Sequence, residues 1–161
     1  MKIAVIYASK HGTTEKVAAS IVEKLRGNNE VELFSLKKNP DPDMSDFGTV
    51  ILGTPVYAGQ ASGKMQKLCK KNEQALLQKK TGLFVCGMEP DQAKREKELT
   101  DAYPEVLLKN AVATGFLGGA FKFEEMNIME RFIISKISKT NESVSRIDGN
   151  AIEVFVKKML E

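Results

Sequence analysis

Lys2-Ile3-Ala4-Val5-Ile6-Tyr7, followed at once by Ala8-Ser9-Lys10-His11-Gly12-Thr13-Thr14, decides how the rest of the chain is read. The first six residues are a nearly continuous apolar run rich in β-branched side chains, the pattern of a strand covered on both faces. The next seven carry hydroxyls and one glycine. From Thr13 onward, Val17, Ala18, Ile21, Val22 and Leu25 recur at helical spacing until Gly27-Asn28-Asn29 ends the stripe. The opening unit is therefore strand, tight loop, helix.

Outward from that unit the same alternation repeats. Glu30–Ser35 alternates polar and apolar residues, as in a strand near a sheet edge, and Gly48–Gly53 reads as a second buried strand. Ser62–Asn72 places Met65, Leu68 and Cys69 on one helical face with lysines on the other. Thr81–Gly87 is the next strand, Asp91–Asp101 a charged helix, Pro104–Leu108 a short one, and Ala111–Phe121 contains the last strand. Two helical stripes follow: Ile128, Met129, Phe132, Ile133 and Ile137, then Ile152, Phe155, Val156 and Met159. Five strands alternating with about five helices predict an α/β fold of three layers, a parallel sheet between two helical layers, because crossovers between parallel strands are right-handed. With no repeat or linker in view, residues 1–161 are expected to form a single domain.

Composition narrows the function. Apolar residues at 42% and charged residues at 28% are ordinary for a folded domain. The net charge of +3 comes from lysines scattered among nearly as many acids, which does not suggest nucleic-acid binding. No apolar run approaches the roughly 20 residues that span a bilayer, so no transmembrane segment is expected and the chain reads as cytoplasmic. Cys69 and Cys86 form no Cys-x-x-Cys pair and there is one His, so neither a redox dithiol nor a metal site is expected; both cysteines read as buried packing residues. No paired carboxylates or nucleophile–base arrangement stands out, which suits a carrier better than a hydrolase.

In open parallel sheets ligands bind beyond the carboxyl ends of the strands, which directs attention to the loops after Tyr7, Gly53 and Gly87. The first loop suits an anion: amides at a helix start lack intrahelical partners, Gly12 permits close backbone approach, and Ser9, Thr13 and Thr14 add hydroxyl donors. The alternative is that Gly12 or a threonine merely caps the helix. Neither G-x-x-x-x-G-K-[ST] nor G-x-G-x-x-G is present, so ATP and NAD are poor candidates. A phosphorylatable receiver domain is excluded as well, since Ala8-Ser9 and Gly53-Thr54 stand where it needs acids. In the second loop, Tyr57 is the one aromatic side chain and either stacks on a ligand or covers the sheet end. In the third, Met88 is a ligand contact or part of the core.

The serine/threonine- and glycine-rich loop after the first strand resembles the FMN phosphate loop of the flavodoxin-like family, roughly [ST]-x-[ST]-G-x-T. Ser9, His11, Gly12, Thr13 and Thr14 fill the matching positions, with Lys10 between them and His11 where a hydroxyl is usual. The resemblance implies a flavodoxin-like fold with a five-stranded parallel sheet in the order 2-1-3-4-5. It also implies FMN as cofactor, held by Ser9, Lys10, His11, Gly12, Thr13 and Thr14. Thr54, Pro55, Val56, Tyr57, Ala58 and Gly59 would lie on one side of the ring, and Gly87 and Met88 on the other. The function implied is electron transfer through the flavin, with redox partner proteins or a quinone as partners and no catalytic side chain required. Phe116–Phe121 and Met129–Ile137 look most like the branch of menaquinone-dependent protoporphyrinogen oxidases, which implies a quinone-dependent enzyme of the same fold and a peripheral membrane contact as the alternative. A cofactor-free interaction domain is the remaining reading. Lys64, Lys67, Lys70 and Lys71, on the helix after the Tyr57 loop, either steer an acidic partner or form a solvated face.

Overall fold

The alternation along the first strand already assigns two cores. In a computed structural model, which describes residues 1–121 and 144–161, β1 (Lys2–Tyr7) sends Ile3, Val5 and Tyr7 to one face of the sheet and Ala4 and Ile6 to the other. On the first face, Val17, Ala18, Ile21, Val22 and Leu25 of α1 (Thr13–Leu25) pack beside Ile152, Phe155, Val156 and Met159 of the last helix, α6 (Gly149–Leu160). On the second lie α2 (Gly63–Lys71), α3 (Glu73–Leu77), α4 (Gln92–Ala102) and α5 (Glu105–Asn110), contributing Met65, Leu68, Cys69, Leu76, Ala102 and Leu107. These side chains are at most a few per cent exposed. Burying each Leu, Ile or Phe among them contributes about 1.5–3 kcal/mol.

The sheet between them runs β2-β1-β3-β5-β6, all parallel, with β2 spanning Glu30–Ser35, β3 Thr49–Tyr57, β5 Lys80–Cys86 and β6 Ala113–Phe116. Setting aside the two-residue β4 (Gln60–Ala61), this is the order 2-1-3-4-5. Strand order reverses between β1 and β3, placing the topological switch point between them. Register brings Tyr7 level with Ser35 and Gly53, so the loops after β1, β2 and β3 leave from one end of the sheet.

Three departures from the sequence reading have physical causes. Strand β3 does not stop at Gly53. Thr54 and Pro55 still pair with Val85 and Cys86, and Val56 and Tyr57 then turn back antiparallel onto Ala61 and Gln60. The turn is Ala58-Gly59, both at positive φ (49° and 78°), the two-residue arrangement whose twist matches paired strands. The helix from Ser62 breaks at Asn72, whose side chain donates to Leu68 O, and restarts as α3, which the stripe does not suggest. The final strand is short, and beyond it Ala120–Phe121 (β7) pairs antiparallel with Val144–Ser145 (β8). The stripe Ile128–Ile137 lies outside the described residues.

Candidate functional site

Site construction begins at α1. Gly12 occupies its N-cap at φ 87°, the left-handed region, and a Cβ there would meet nothing within 4 Å. Its amide donates to Ser9 Oγ at 3.0 Å, folding the loop back on itself. The first helical bond runs from Lys16 N–H to Gly12 O, and no side chain caps the helix. The amides of Thr13, Thr14 and Glu15 therefore face outward at the positive end of the helix dipole, the requirement for an anion. Of the two caps considered above, Gly12 or a threonine, Gly12 occupies the position, and having no side chain it makes no cap hydrogen bond to those amides.

Thr13 and Thr14 are buried, Ser9, His11 and Gly12 half-buried, and Lys10 exposed. Thr14 Oγ1 is inaccessible and makes no hydrogen bond of good geometry. It does lie close enough to the Cys86 thiol to offset slightly the burial that pushes that thiol up to about 12. Burial also raises Cys69 to about 12, so both cysteines are packing residues held as unreactive thiols.

The second loop joins the first directly. Ala8 N–H donates to Gly53 O at 3.0 Å, tying the two loop bases together. Above them the Tyr57 ring stands edge-on to His11, centroids 5.7 Å apart at 85°, and Lys10 Nζ lies 5.5 Å from its centre. Thr54 is fully buried. Its hydroxyl reaches Pro55 O at 3.1 Å and accepts the Ser62 N–H at 3.1 Å, bracing the base of the hairpin. Pro55 is buried within the ladder, Val56 and Tyr57 are half-buried, and Ala58 and Gly59 are exposed at the tip. Of this stretch, Val56 to Gly59 form the accessible surface.

The third loop is more crowded. Gly87 N–H donates to Gly118 O, and a Cβ on Gly87 would lie 3.2 Å from the Phe116 ring and 3.3 Å from Glu98 Oε2. Behind it, a Cβ on Gly119 would come 2.6 Å from Gly87 O, and one on Gly118 would run into the Arg146 carbonyl. Close packing of backbone on backbone accounts for that glycine pair. Gly87 and Met88 are half-buried. Arg95 of α4 lies over the Phe116 ring at 4.9 Å and donates from Nε to Glu89 O. Glu98 Oε2 is buried without a hydrogen-bond partner, and desolvation, reinforced by Glu89 and opposed by Arg95, holds its carboxyl above the usual range. The sequence does not single out Arg95, Glu98 or Phe116 as site residues; on a helix as charged as Asp91–Asp101 no spacing sets the first two apart.

A parallel sheet ending beneath an uncapped helix N-terminus, with an aromatic hairpin on one side and a buttressed loop on the other, defines a mononucleotide-binding α/β domain of the doubly wound type. A family model described as a flavodoxin domain matches residues 4–148, and the chain belongs to the flavodoxin family, whose members bind FMN and transfer electrons through it. A flavodoxin of Clostridium saccharobutylicum is 26% identical over 161 residues, covering 99% of each chain. Flavodoxin 1 of Bacillus cereus superposes with a TM-score of 0.55 at 17% identity over 87% of this chain and 99% of its own. A mutant flavodoxin of Fusobacterium nucleatum, solved bound to flavin mononucleotide, gives 0.50 at 17% identity over 98% of this chain and 90% of its own. Among the described residues, no helix is long and apolar enough to cross a membrane and no cluster of metal-ligating side chains occurs.

Proposed function

We propose that residues 1–161, as one domain, bind FMN at the start of α1 and carry electrons through it. The observation that supports this most is the uncapped start of α1, where the amides of Thr13, Thr14 and Glu15 stand open behind a left-handed Gly12. Those residues fit a phosphate monoester: backbone donors, the hydroxyls of Ser9, Thr13 and Thr14, and Lys10 and His11 at the rim.

FMN, when bound, supplies the one- and two-electron redox chemistry. The protein's part is to bind, orient and shield. In this reading Tyr57, with Val56, Ala58 and Gly59, offers the hairpin side, and Gly87 and Met88 the other; Thr54 and Pro55 hold the hairpin at its height. An aromatic ring so placed contributes about 0.5–1.5 kcal/mol beyond burial. Flavodoxins pass electrons to redox partner proteins, and a cytoplasmic setting suits that role.

The second reading, oxidation of protoporphyrinogen with a quinone as acceptor and a peripheral membrane contact, is favoured by the Phe116–Phe121 stretch, where Phe116 and Gly118 frame the third loop. Titrating purified protein with FMN while recording flavin fluorescence and the visible spectrum tests the main proposal. Quenching with saturation at one FMN per chain is expected; unquenched flavin at saturating protein would overturn it. Anaerobic reduction of the loaded protein by protoporphyrinogen, with reoxidation by a menaquinone analogue, would move the assignment to the second reading.

A further inference from the structure

The end of the sheet that carries the proposed FMN site has an uneven rim. Lys37 and Lys38 occupy the turn after β2. Leu36 N–H donates to Tyr7 O at 3.0 Å, and the amides of Lys38 and Asn39 both return to Ser35 O. This pins the turn beside the start of the phosphate loop. On the other flank, α2 begins where Ser62 is tied to Thr54, which sets Lys64 at the sheet end and Lys67 one turn away. Lys70 and Lys71 fall one further turn down the helix, about 5 Å beyond Lys67, and Lys71 is paired with Asp41. The sequence groups those four lysines together; the ion pair sets Lys71 apart from the others, and the fold adds Lys37 and Lys38 from another element.

Lys37, Lys38, Lys64 and Lys67 are all exposed, and none makes an ion pair among the described residues. Lys10 lies between them over Tyr57. On this flank the acids are Glu15 in the first turn of α1 and, beyond the turn, Asp41, paired with Lys71, and Asp43, while Glu89 and Asp91 lie at the third loop on the opposite side. Unpaired lysines grouped at one edge create a local positive potential that surface ion pairs elsewhere do not cancel, and such a potential raises the rate of encounter with an oppositely charged partner.

We propose that this crescent, Lys37-Lys38 on one flank and Lys64 and Lys67 on the other, is the docking surface for an acidic redox protein, whose carboxylates meet it beside the Tyr57 hairpin. The inference rests on the FMN reading for its redox character, and on charge complementarity alone for its site. Its orientation differs from a uniformly charged surface: the partner is offset toward β2 and α2 and away from the third loop.

The test uses the whole chain and four probes. Poly-L-glutamate is titrated into 15N-labelled protein at 20 mM and 300 mM salt. Amide shifts confined to residues 37–38, 64–67 and the Tyr57 hairpin, weakened about tenfold by salt, support the crescent; shifts spread over α6 or absent altogether overturn it. Vesicles of one part phosphatidylglycerol to three of phosphatidylcholine that bind more tightly than polyglutamate would overturn it in favour of a membrane. The FMN-loaded, reduced protein is then reoxidised by ferricyanide and by hexaammineruthenium(III). Salt should slow the anionic oxidant and not the cationic one. A Lys37→Glu/Lys64→Glu variant should reverse that order, while the charge-matched Lys157→Glu/Lys158→Glu should not; equal effects of the two variants would remove the crescent. Should the protein take up no FMN, the polyglutamate and vesicle titrations still decide the docking surface separately.

Discussion

Gly12 and Gly119 belong to loops at the same end of the sheet, yet they are glycine for opposite reasons. Around Gly12 a Cβ would meet open space, and what excludes other residues is the positive φ together with whatever must approach the backbone. At Gly119 the backbone is not left-handed and the space is gone, because the Gly87 carbonyl already fills it. One loop is left open, and the other is closed by the protein itself. A glycine motif read from sequence does not separate these cases; the neighbouring atoms do.

Substitution separates them in measurement. Gly119→Val pushes a side chain into backbone that cannot yield, and is expected to lower stability by about 3 kcal/mol, read as a drop in the urea midpoint at unchanged m. Gly12→Val carries a milder cost, about 1–2 kcal/mol for a β-branched residue in the left-handed region, but should weaken FMN binding at least tenfold, about 1.4 kcal/mol, in a fluorescence titration. If the two variants lost stability equally and FMN affinity equally, the contrast between open and closed loops would be wrong. Tyr57→Ala is expected to reduce FMN affinity by about 0.5–1.5 kcal/mol with little change in the urea midpoint, since the ring is half-buried against His11 rather than in either core.

The smallest expected effect is at Glu98. Its carboxyl is held above the ordinary glutamate range chiefly by burial, so its contribution to stability is present at low pH and is lost as the pH rises through its folded-state value. Glu98→Gln removes that dependence. The Tm of the variant should therefore gain on that of the wild type as the pH rises toward neutral, and only slightly, because solvent still reaches the group. Parallel pH profiles for the two proteins would show that Glu98 is not buttressing the third loop in the way its buried oxygen suggests.

How much of this is legible in the sequence varies by loop. Both helical layers and the helix-N-terminal loop follow from hydrophobic periodicity and one glycine, since each is encoded within about fifteen consecutive residues; the strand order comes from the family resemblance alone, because no local pattern says which strands lie side by side. The hairpin is harder: Gly53 and Pro55 suggest that the strand has ended, but Pro55 is the last residue of the parallel pairing with β5, and β3 runs on to Tyr57 in antiparallel pairing with β4. A buried hydroxyl at Thr54, committed to Ser62, likewise depends on a partner eight residues on. The third loop is least legible, because Arg95, Glu98 and Phe116 come from different elements and converge only once α4 lies against β6.

Tyr103 carries the last consequence. Entirely buried, its hydroxyl sits 3.0 Å from Leu52 O and 2.6 Å from Phe84 O, the residue before Gly53 on one strand and three before Gly87 on the next. A single phenol thereby lies against the roots of two loops at once. The gauge of the cleft is set from below, where the phenol and the paired ends of β3 and β5 fix how far apart the hairpin and the Met88 loop are anchored.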